Sequence, residues 1–150
     1  DYFGKDKPDI VLTVEASGIA LALAAAHFLD DIPVVFAKKS PAANQSADML
    51  TAVAHSFTHG NDNALRVDRR YLPAGSRVLV VDDFLADGEA SRALISIVEQ
   101  AGCTLVGVGI AVEKGFQPGG RKLREAGVNL KSLAIVTSIQ DGRIQLADDD

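Results

Sequence analysis

The sequence predicts an α/β fold with a mostly parallel sheet that is flanked by helices. Short apolar runs rich in β-branched residues alternate with helical patterns along the chain, and this alternation favours parallel strands joined by helices. The runs are continuous, as is typical of strands that are buried on both faces. Because crossovers between parallel strands are right-handed, we expect the loops after the strands at one edge of the sheet.

The first elements are two strands separated by a helix. Residues 10–14 and 33–37 are continuous apolar runs, which predict buried strands. Residues 18–30 between them are rich in alanine and leucine and predict a helix, with Ser17 as its N-cap.

A polar loop and a hairpin follow the second strand. Residues 38–48 contain Pro41 and show no hydrophobic period, so they predict a loop. Residues 51–57 and 64–67 alternate apolar and polar side chains around a polar turn. This pattern predicts a β-hairpin that carries the flexible loop at its base.

The second half returns to alternating strands and helices. Residues 78–81 and 105–112 are apolar runs that predict strands, and the helical pattern at 90–101 between them is ended by Gly102. The last predicted elements are a short helix at 119–126 and closing strands at 133–136 and 144–146.

Composition bounds the function. The chain has 150 residues, 47% of them hydrophobic, which suits one domain with a sizeable core. A net charge of −5 argues against a nucleic-acid surface, and no apolar run is long enough to span a membrane. The single cysteine, Cys103, excludes an internal disulfide, and the three histidines show no metal-ligand spacing. The sequence therefore predicts no dedicated protein metal site.

Two adjacent carboxylates, Asp82 and Asp83, directly follow the strand at 78–81. Ligands of open α/β sheets bind beyond the carboxyl ends of such strands. A favourable helix dipole would explain one acid, but two charges at a sheltered position are costly without a partner. We therefore expect this pair to bind two hydroxyls of a sugar.

The small-residue loop at 86–90 opens the next helix, and its backbone N–H groups can face a phosphate. Gly88 allows positive φ or close approach to a ligand. The loop lacks the Gly-Lys-Ser/Thr of a P-loop, and Asp87 and Glu89 are expected to point to solvent, away from the anion. Taken together with the acid pair, this loop predicts a pocket for a phosphorylated ribose.

Three weaker features follow other strands. The turn at 15–18 offers a second anion site or a plain helix cap, and Lys38-Lys39 is either a cation near the site or a solvated pair. Lys114, beside Gly115 and Phe116, can hydrogen-bond a flat polar ring, although a surface lysine is the commoner explanation.

These motifs resemble the type I phosphoribosyltransferases, with a closer resemblance to the bacterial branch that uses xanthine. The phosphoribosyl pyrophosphate signature is matched by Val78-Leu79-Val80-Val81-Asp82-Asp83 and Ala86-Asp87-Gly88-Glu89-Ala90. The segments that carry the closer resemblance, which follow in the family's order, are Val14-Glu15-Ala16-Ser17-Gly18-Ile19, Val34-Val35-Phe36-Ala37-Lys38-Lys39, Leu50-Thr51-Ala52, Ser56-Phe57-Thr58, Asp82-Asp83-Phe84-Leu85-Ala86 and Glu113-Lys114-Gly115-Phe116-Gln117-Pro118-Gly119.

The resemblance implies a role for each candidate residue. The loop at 38–48 would be the mobile flap, and the turn at 16–18 a pyrophosphate loop that in this family often contains a cis non-proline peptide. The 5′-phosphate would be bound by the loop residues Ala86, Asp87, Gly88, Glu89 and Ala90, and the ribose hydroxyls by Asp82 and Asp83. Pyrophosphate would be bound by Ala16, Ser17, Gly18 and Lys39. Lys114 would contact the purine.

The resemblance also implies an activity: transfer of phosphoribose from phosphoribosyl pyrophosphate to xanthine in purine salvage, with Mg²⁺ bound mainly through the diphosphate, in a cytoplasmic homodimer. Two departures concern the loop, where Asp87 replaces a frequent threonine and Ala86 replaces the aspartate that could act as a general base. The chain starts at Asp1 and its only methionine is Met49. We therefore expect residues 1–150 to be one phosphoribosyltransferase domain without the family's N-terminal base-binding segment.

Two alternatives stay open. Purine-operon repressors resemble this fold and bind phosphoribosyl pyrophosphate as a signal, but a sensor needs neither Lys114 nor the lysine pair, and the net charge is acidic. Adenine phosphoribosyltransferases differ in the segment that contacts the base.

Overall fold

The computed structural model describes residues 2–39, 48–55 and 62–147. Within these ranges the strands are β1 (Ile10–Val14), β2 (Val34–Ala37), β3 (Met49–His55), β4 (Asp62–Asp68), β5 (Arg77–Leu85), β6 (Thr104–Lys114), β7 (Leu130–Gln140) and β8 (Arg143–Leu146). The α-helices there are α1 (Gly18–His27), α2 (Glu89–Gln100) and α3 (Gly119–Glu125), and short 3₁₀ turns lie at Gly4–Asp6 and Arg69–Tyr71.

A central sheet has the strand order β2-β1-β5-β6-β7-β8. The pairs from β2 to β7 are parallel, and β8 pairs antiparallel with β7. The predicted mostly parallel sheet is therefore confirmed. Because β1, β2, β5 and β6 are parallel, their carboxyl ends lie along one edge, where ligands of such sheets bind.

Helices cover both faces of this sheet, as predicted, because successive residues of β1 and β5 point to opposite sides. Helices α2 and α3 contribute to the larger core, which includes Leu12, Val80, Leu94, Ile97 and Leu123. Helix α1 covers the other face, where the smaller core is Val11, Ala22, Ala26, Leu79 and Val81. Burial on both faces explains the continuous apolar runs.

Strand β5 is longer than predicted. The sequence predicts it at 78–81, but it continues to Leu85 and therefore contains both Asp82 and Asp83. Its last residues remain paired with β6, with Leu85 opposite Glu113. Strands β6 and β7 also exceed their predicted lengths because they pair with each other towards this same edge. Backbone pairing with long neighbours thus extends each strand beyond its apolar run.

Strands β3 and β4 form the predicted hairpin as a separate two-stranded sheet. Lys38 and Arg66 exchange backbone hydrogen bonds of 2.9 Å, which attach the hairpin to the end of β2. Most of the predicted flexible loop (40–47) and of the hairpin turn (56–61) lies outside the described residues.

Helix α1 ends at His27, before its predicted end at residue 30. Asp30 and Asp31 have φ of 62° and 55°, a left-handed conformation that aspartate tolerates better than most residues and that does not continue a right-handed helix. None of the helices in the described ranges has the length and apolar character needed to cross a bilayer.

Candidate active site

A cavity of about 200 Å³ lies at the carboxyl edge of the sheet. Its lining consists of Val14, Ser17, Lys39, Ala54, Leu65, Asp82, Asp83, Asp87, Glu89 and Ala90. The cavity thus unites predicted residues that follow three different strands. Of the other predicted residues, Ala16 and Gly18 flank Ser17, Ala86 and Gly88 belong to the loop before α2, and Lys114 lies at the end of β6.

The two acids differ in environment. Asp82 is buried, with 4% of its surface exposed, whereas Asp83 is half-buried. One Asp82 oxygen accepts the backbone N–H of Asp83 at 3.0 Å, and one Asp83 oxygen accepts the N–H of Phe84 at 2.9 Å. Each carboxylate therefore keeps at least one oxygen lone pair for a ligand.

The two carboxyl groups of the pair have different pKa values. Burial raises the pKa of Asp82 to about 7, although the N–H of Asp83 acts against this shift. Burial also acts to raise the pKa of Asp83, but hydrogen bonds from Ser17 and from the Asp82 carboxyl hold it below its ordinary value. Near neutral pH, Asp83 is therefore ionised, and Asp82 can hold or release the proton that the two groups share.

The Ser17 side chain hydrogen-bonds the acid pair and does not cap the helix. Ser17 occupies the N-cap position of α1, as predicted, but its side chain makes no capping hydrogen bond. The backbone of Ser17 is already helical, with φ −64° and ψ −35°, whereas a capping residue needs an extended backbone. The hydroxyl instead hydrogen-bonds Asp83.

Gly18 allows a close approach between α1 and the acid pair. A Cβ at this position would lie 2.2 Å from Thr13 Oγ1 and 3.0 Å from Asp82 Oδ1. Thr13 is fully buried, and its hydroxyl has no hydrogen-bond partner among the described residues. Thr13 was not among the predicted site residues, although a threonine within an otherwise apolar strand was a visible signal.

Lys39 is tied to the turn before α1. Its backbone N–H donates to Glu15 Oε1 at 2.7 Å, and its positive charge acts to lower the pKa of Asp82. The Glu15–Ala16 peptide bond is cis, as the family resemblance implied. The Lys39 ammonium therefore lies close enough to act on the acid pair of its own chain.

The loop before α2 has the backbone expected of an anion site. Gly88 has φ 86° and directly precedes the first residue of α2. This left-handed conformation favours glycine, and the N–H groups of the first helical turn, which have no partners within the helix, follow it. The predicted need for glycine at this position is confirmed.

The acids of this loop are held inside the loop and do not point to solvent, which differs from the prediction. Asp87 Oδ1 accepts the backbone N–H of Glu89 at 3.1 Å. Glu89 pairs with Arg92 one turn along α2. Because each carboxylate has a local partner, Asp87 currently occupies one N–H donor that an anion would need.

Lys114 lies beside the exposed ring of Phe84. Its Nζ is 5.7 Å from the centroid of the Phe84 ring, a cation–π distance. Phe84 and Phe116 are 53% and 50% exposed. An ammonium next to exposed rings can position a flat polar ligand by stacking and hydrogen bonding. Phe84 belongs to one of the segments that match the family, but it was not among the predicted site residues.

The residues at this edge fit Mg²⁺ only in part. Asp82 and Asp83 offer the hard oxygen ligands that Mg²⁺ prefers. Within the described ranges, however, no group of three or more His, Cys, Asp or Glu side chains is arranged to hold a metal ion. A cation here would therefore need oxygens from a substrate and from water.

The raised pKa of Asp82 predicts how stability depends on pH. The unfolded carboxyl titrates near pH 3.9 and the folded one near 7, so its stabilising effect is complete below about pH 4 and is lost as the pH rises through 7. The cost of ionising it when folded is on the order of 4 kcal/mol at most. Asp82→Asn should therefore gain stability relative to the wild type as the pH rises from 4 to 8.

Urea unfolding at each pH measures this difference. Asp83→Asn is the matched control, because the lowered pKa of Asp83 gives its charge a stabilising effect that is lost as the pH falls. A constant offset between Asp82→Asn and the wild type from pH 4 to 8 would contradict the assigned pKa.

Known proteins place this geometry in a family. The phosphoribosyl transferase domain matches residues 1–143. A protein named xanthine phosphoribosyltransferase 1 from Clostridium perfringens is 47% identical over 142 residues, which cover 95% of this chain and 75% of that protein. A xanthine phosphoribosyltransferase from Bifidobacterium animalis is 48% identical over 139 residues, covering 93% of this chain and 72% of that protein.

The fold recurs in solved structures. The adenine phosphoribosyltransferase from Thermoanaerobacter pseudethanolicus superposes with a TM-score of 0.74 at 25% identity, covering 89% of this chain and 78% of that chain. The domain match spans nearly the whole sequence, and the relatives are almost half identical to it. This chain therefore belongs to the phosphoribosyl transferase domain family.

Proposed function

We propose that this chain transfers the phosphoribosyl group of phosphoribosyl pyrophosphate to N9 of xanthine, releasing xanthosine monophosphate and pyrophosphate. The observation that carries the proposal is the single cavity in which an acid pair, an N–H-rich loop and Lys39 converge. The names of the relatives that are 45–48% identical support xanthine as the base.

The donor binds along the cavity. Backbone N–H groups of Ala86, Asp87, Gly88, Glu89 and Ala90 hold the 5′-phosphate, because amides at a helix start favour an anion, and the phosphate replaces Asp87 as the partner of the Glu89 N–H. Asp82 and Asp83 accept hydrogen bonds from the ribose hydroxyls. The turn formed by Ala16, Ser17 and Gly18 holds the pyrophosphate, whose charge is partly balanced by Lys39.

Transfer breaks the bond between the anomeric carbon and pyrophosphate and forms the bond from that carbon to N9. The sugar develops positive charge as the leaving group departs, and ionised Asp83 stabilises that charge by its position. Lys39 stabilises the departing pyrophosphate. Ala86 offers no general base, so the proton of the base is released to solvent. The chain therefore acts chiefly by positioning and electrostatics.

Mg²⁺ accompanies the donor in this proposal. When bound, it neutralises charge on the pyrophosphate, and Asp82 and Asp83 are the residues that would hold it together with substrate oxygens.

Lys114 and Phe84 select the base. The ammonium has three donors and no acceptor, so it suits the carbonyl oxygens of an oxopurine better than the amino edge of adenine. The Phe84 ring beside it offers a surface for stacking. The proposal extends to a cytoplasmic homodimer with residues 1–150 as one phosphoribosyltransferase domain, and its oligomeric state is tested by sedimentation.

A purine panel tests the proposal. Xanthine, hypoxanthine, guanine and adenine are each incubated with phosphoribosyl pyrophosphate and Mg²⁺, and nucleotide and pyrophosphate are both measured. Xanthine should give the highest kcat/KM. Preferential use of adenine, the base of the similar solved enzymes, would overturn the choice of base. Donor binding without turnover of any purine would favour a sensor.

Lys114→Ala should raise the KM for xanthine much more than the KM for phosphoribosyl pyrophosphate, because the ammonium contacts only the base. Loss of a hydrogen bond to a charged group costs about 1.5–3 kcal/mol, or roughly 10- to 150-fold. Steady-state kinetics with each substrate varied in turn measures this difference. Lys131→Ala, a change on the neighbouring strand β7, is the control, and an unchanged KM for xanthine in Lys114→Ala would contradict the base contact.

Asp82→Asn combined with Asp83→Asn should weaken binding of phosphoribosyl pyrophosphate and leave the fold intact. Asn keeps the shape and an acceptor oxygen but removes the charge, and each lost charge-assisted bond costs about 1.5–3 kcal/mol. Calorimetric titration with the donor measures the loss, and circular dichroism checks the fold. Normal binding by the double variant would show that the acids do not hold the ribose.

Asp87→Asn combined with Glu89→Gln should leave affinity for phosphoribosyl pyrophosphate equal or slightly higher, because like-charge repulsion is relieved and Arg92 loses its partner. Gly88→Val should bind far more weakly, since φ of 86° is strained for a β-branched residue. Both are measured by the same titration. A large loss on neutralising the two acids would reveal a direct role for their carboxylates.

A further inference from the structure

An ion pair between the buried Glu113 and the partly exposed Arg124 lies next to the segments that carry the proposed base and phosphate contacts. Glu113, with 3% of its surface exposed, accepts from Arg124 Nη1 and Nη2 at 2.7 Å each and from the Ser132 hydroxyl at 2.6 Å. Two parallel bonds between a guanidinium and a carboxylate fix both groups in one orientation. Burial acts to raise the pKa of Glu113, but these bonds hold it below its ordinary value. The pair is therefore charged and rigid.

This ion pair sets the position of α3. Arg124 lies near the end of that helix, Glu113 in β6 and Ser132 in β7. A Cβ at Gly120 would lie 1.9 Å from Glu113 Oε1, so the first turn of α3 rests directly on the carboxylate. Contacts at both of its ends thus fix the position of helix α3 on the sheet.

The start of α3 supports the loop before α2. The Gly119 N–H donates to the Ala86 carbonyl at 3.0 Å. A Cβ at Gly119 would lie 2.5 Å from Ala86 O, 2.7 Å from Gly88 N and 2.8 Å from Asp87 C. The backbone of the proposed phosphate loop is therefore packed against Gly119 with no room for a methyl group.

The same segment carries Lys114. Gln117 donates its N–H to the Lys114 carbonyl at 2.8 Å, and the Gly115 N–H donates to Val136 O at 2.8 Å. The chain between Lys114 and Gly119 is thus a short, hydrogen-bonded turn anchored by Glu113 immediately before it. One rigid unit links the proposed base contact to the back of the phosphate loop.

We infer that Arg124 and Gly119 are positioning residues for the donor phosphate. The Glu113–Arg124 pair fixes α3, and Gly119 transmits that position to the backbone at residues 86–88. This inference rests on the proposed function and adds residues that contact neither substrate. Because binding by backbone N–H groups depends on distance and direction, a displaced loop should weaken donor binding, and it should affect kcat less because in the proposed function the loop contacts the 5′-phosphate and not the reacting carbon.

The test compares Gly119→Ala, Arg124→Met and Arg124→Lys with the wild type. Gly119→Ala and Arg124→Met should each raise the Kd and KM for phosphoribosyl pyrophosphate by about tenfold or more, with kcat at saturating donor within about threefold of the wild type. Gly119→Ala, whose added methyl group meets the loop at residues 86–88, should also leave the KM for xanthine within about threefold of the wild type. Arg124→Lys keeps the charge but not the two parallel bonds, so its donor affinity should lie between Arg124→Met and the wild type.

Arg121→Met is the matched control. Arg121 lies on the same helix, its side chain is 71% exposed, and its ion pair with Glu125 is 4.0 Å long. Its donor affinity should equal that of the wild type. Thermal melting of every variant separates positioning from stability, and a variant that does not fold leaves the comparison to the others.

The inference is overturned if the folded variants bind the donor within twofold of the wild type. It is equally overturned if kcat and both KM values change in parallel with the melting temperature, as a purely structural contact predicts. Calorimetry with ribose 5-phosphate gives the same comparison without turnover. If the wild type binds ribose 5-phosphate but forms no nucleotide with any purine, the proposed function is wrong. The positioning inference is then still decided by comparing ribose 5-phosphate binding among the variants.

Discussion

Burial of the Asp82 carboxyl at the end of β5 is the constraint on which the arrangement of this edge depends. A charged group at 4% exposure is unfavourable unless neighbours compensate it, and here burial prevails enough to raise the pKa to about 7. Compensation comes from the Asp83 N–H and from Lys39. The position costs stability at neutral pH, which is typical of groups kept for binding.

Close backbone packing is the second theme. Gly18 lets α1 approach Thr13 and Asp82, Gly88 supplies the left-handed turn before α2, and Gly119 lets α3 touch that turn. At each of these places a Cβ would meet a heavy atom at 3.2 Å or less. The site is thus held by backbones in contact, which suits recognition of phosphates by N–H groups whose positions must be fixed.

The sequence predicted what depends on local pattern. Continuous apolar runs predicted the parallel sheet. The residues that follow one of these runs predicted the acid pair and the small-residue loop as site residues. It did not predict the length of β5, because pairing with β6 extends that strand beyond its own apolar residues. It assigned Ser17 to helix capping because residue type shows neither the backbone angles nor the nearby Asp83.

Contacts between distant residues were also invisible in the sequence. Glu113 and Arg124 are separated by 11 positions, and Ser132 lies on another strand. Nothing in the spacing of these residues marks them as partners, because the turn between Lys114 and Gly119 brings them together. The contact of Phe84 with Lys114 was not predicted for a similar reason, because the exposure of Phe84 follows from the extended course of β5 past the core.

Charge decides how such a site can bind a polyanion. The cavity lining places one cation, Lys39, among the carboxylates of Asp82, Asp83, Asp87 and Glu89, and the whole chain carries a net charge of −5. Protonation of Asp82 removes part of this negative charge near neutral pH, and Arg92 neutralises Glu89. In the proposed function, favourable binding of phosphoribosyl pyrophosphate would then come from backbone N–H groups and from a divalent cation that arrives with the substrate. Because N–H dipoles act over short distances only, the precision of the loop against α3 matters more here than in a site lined by arginines.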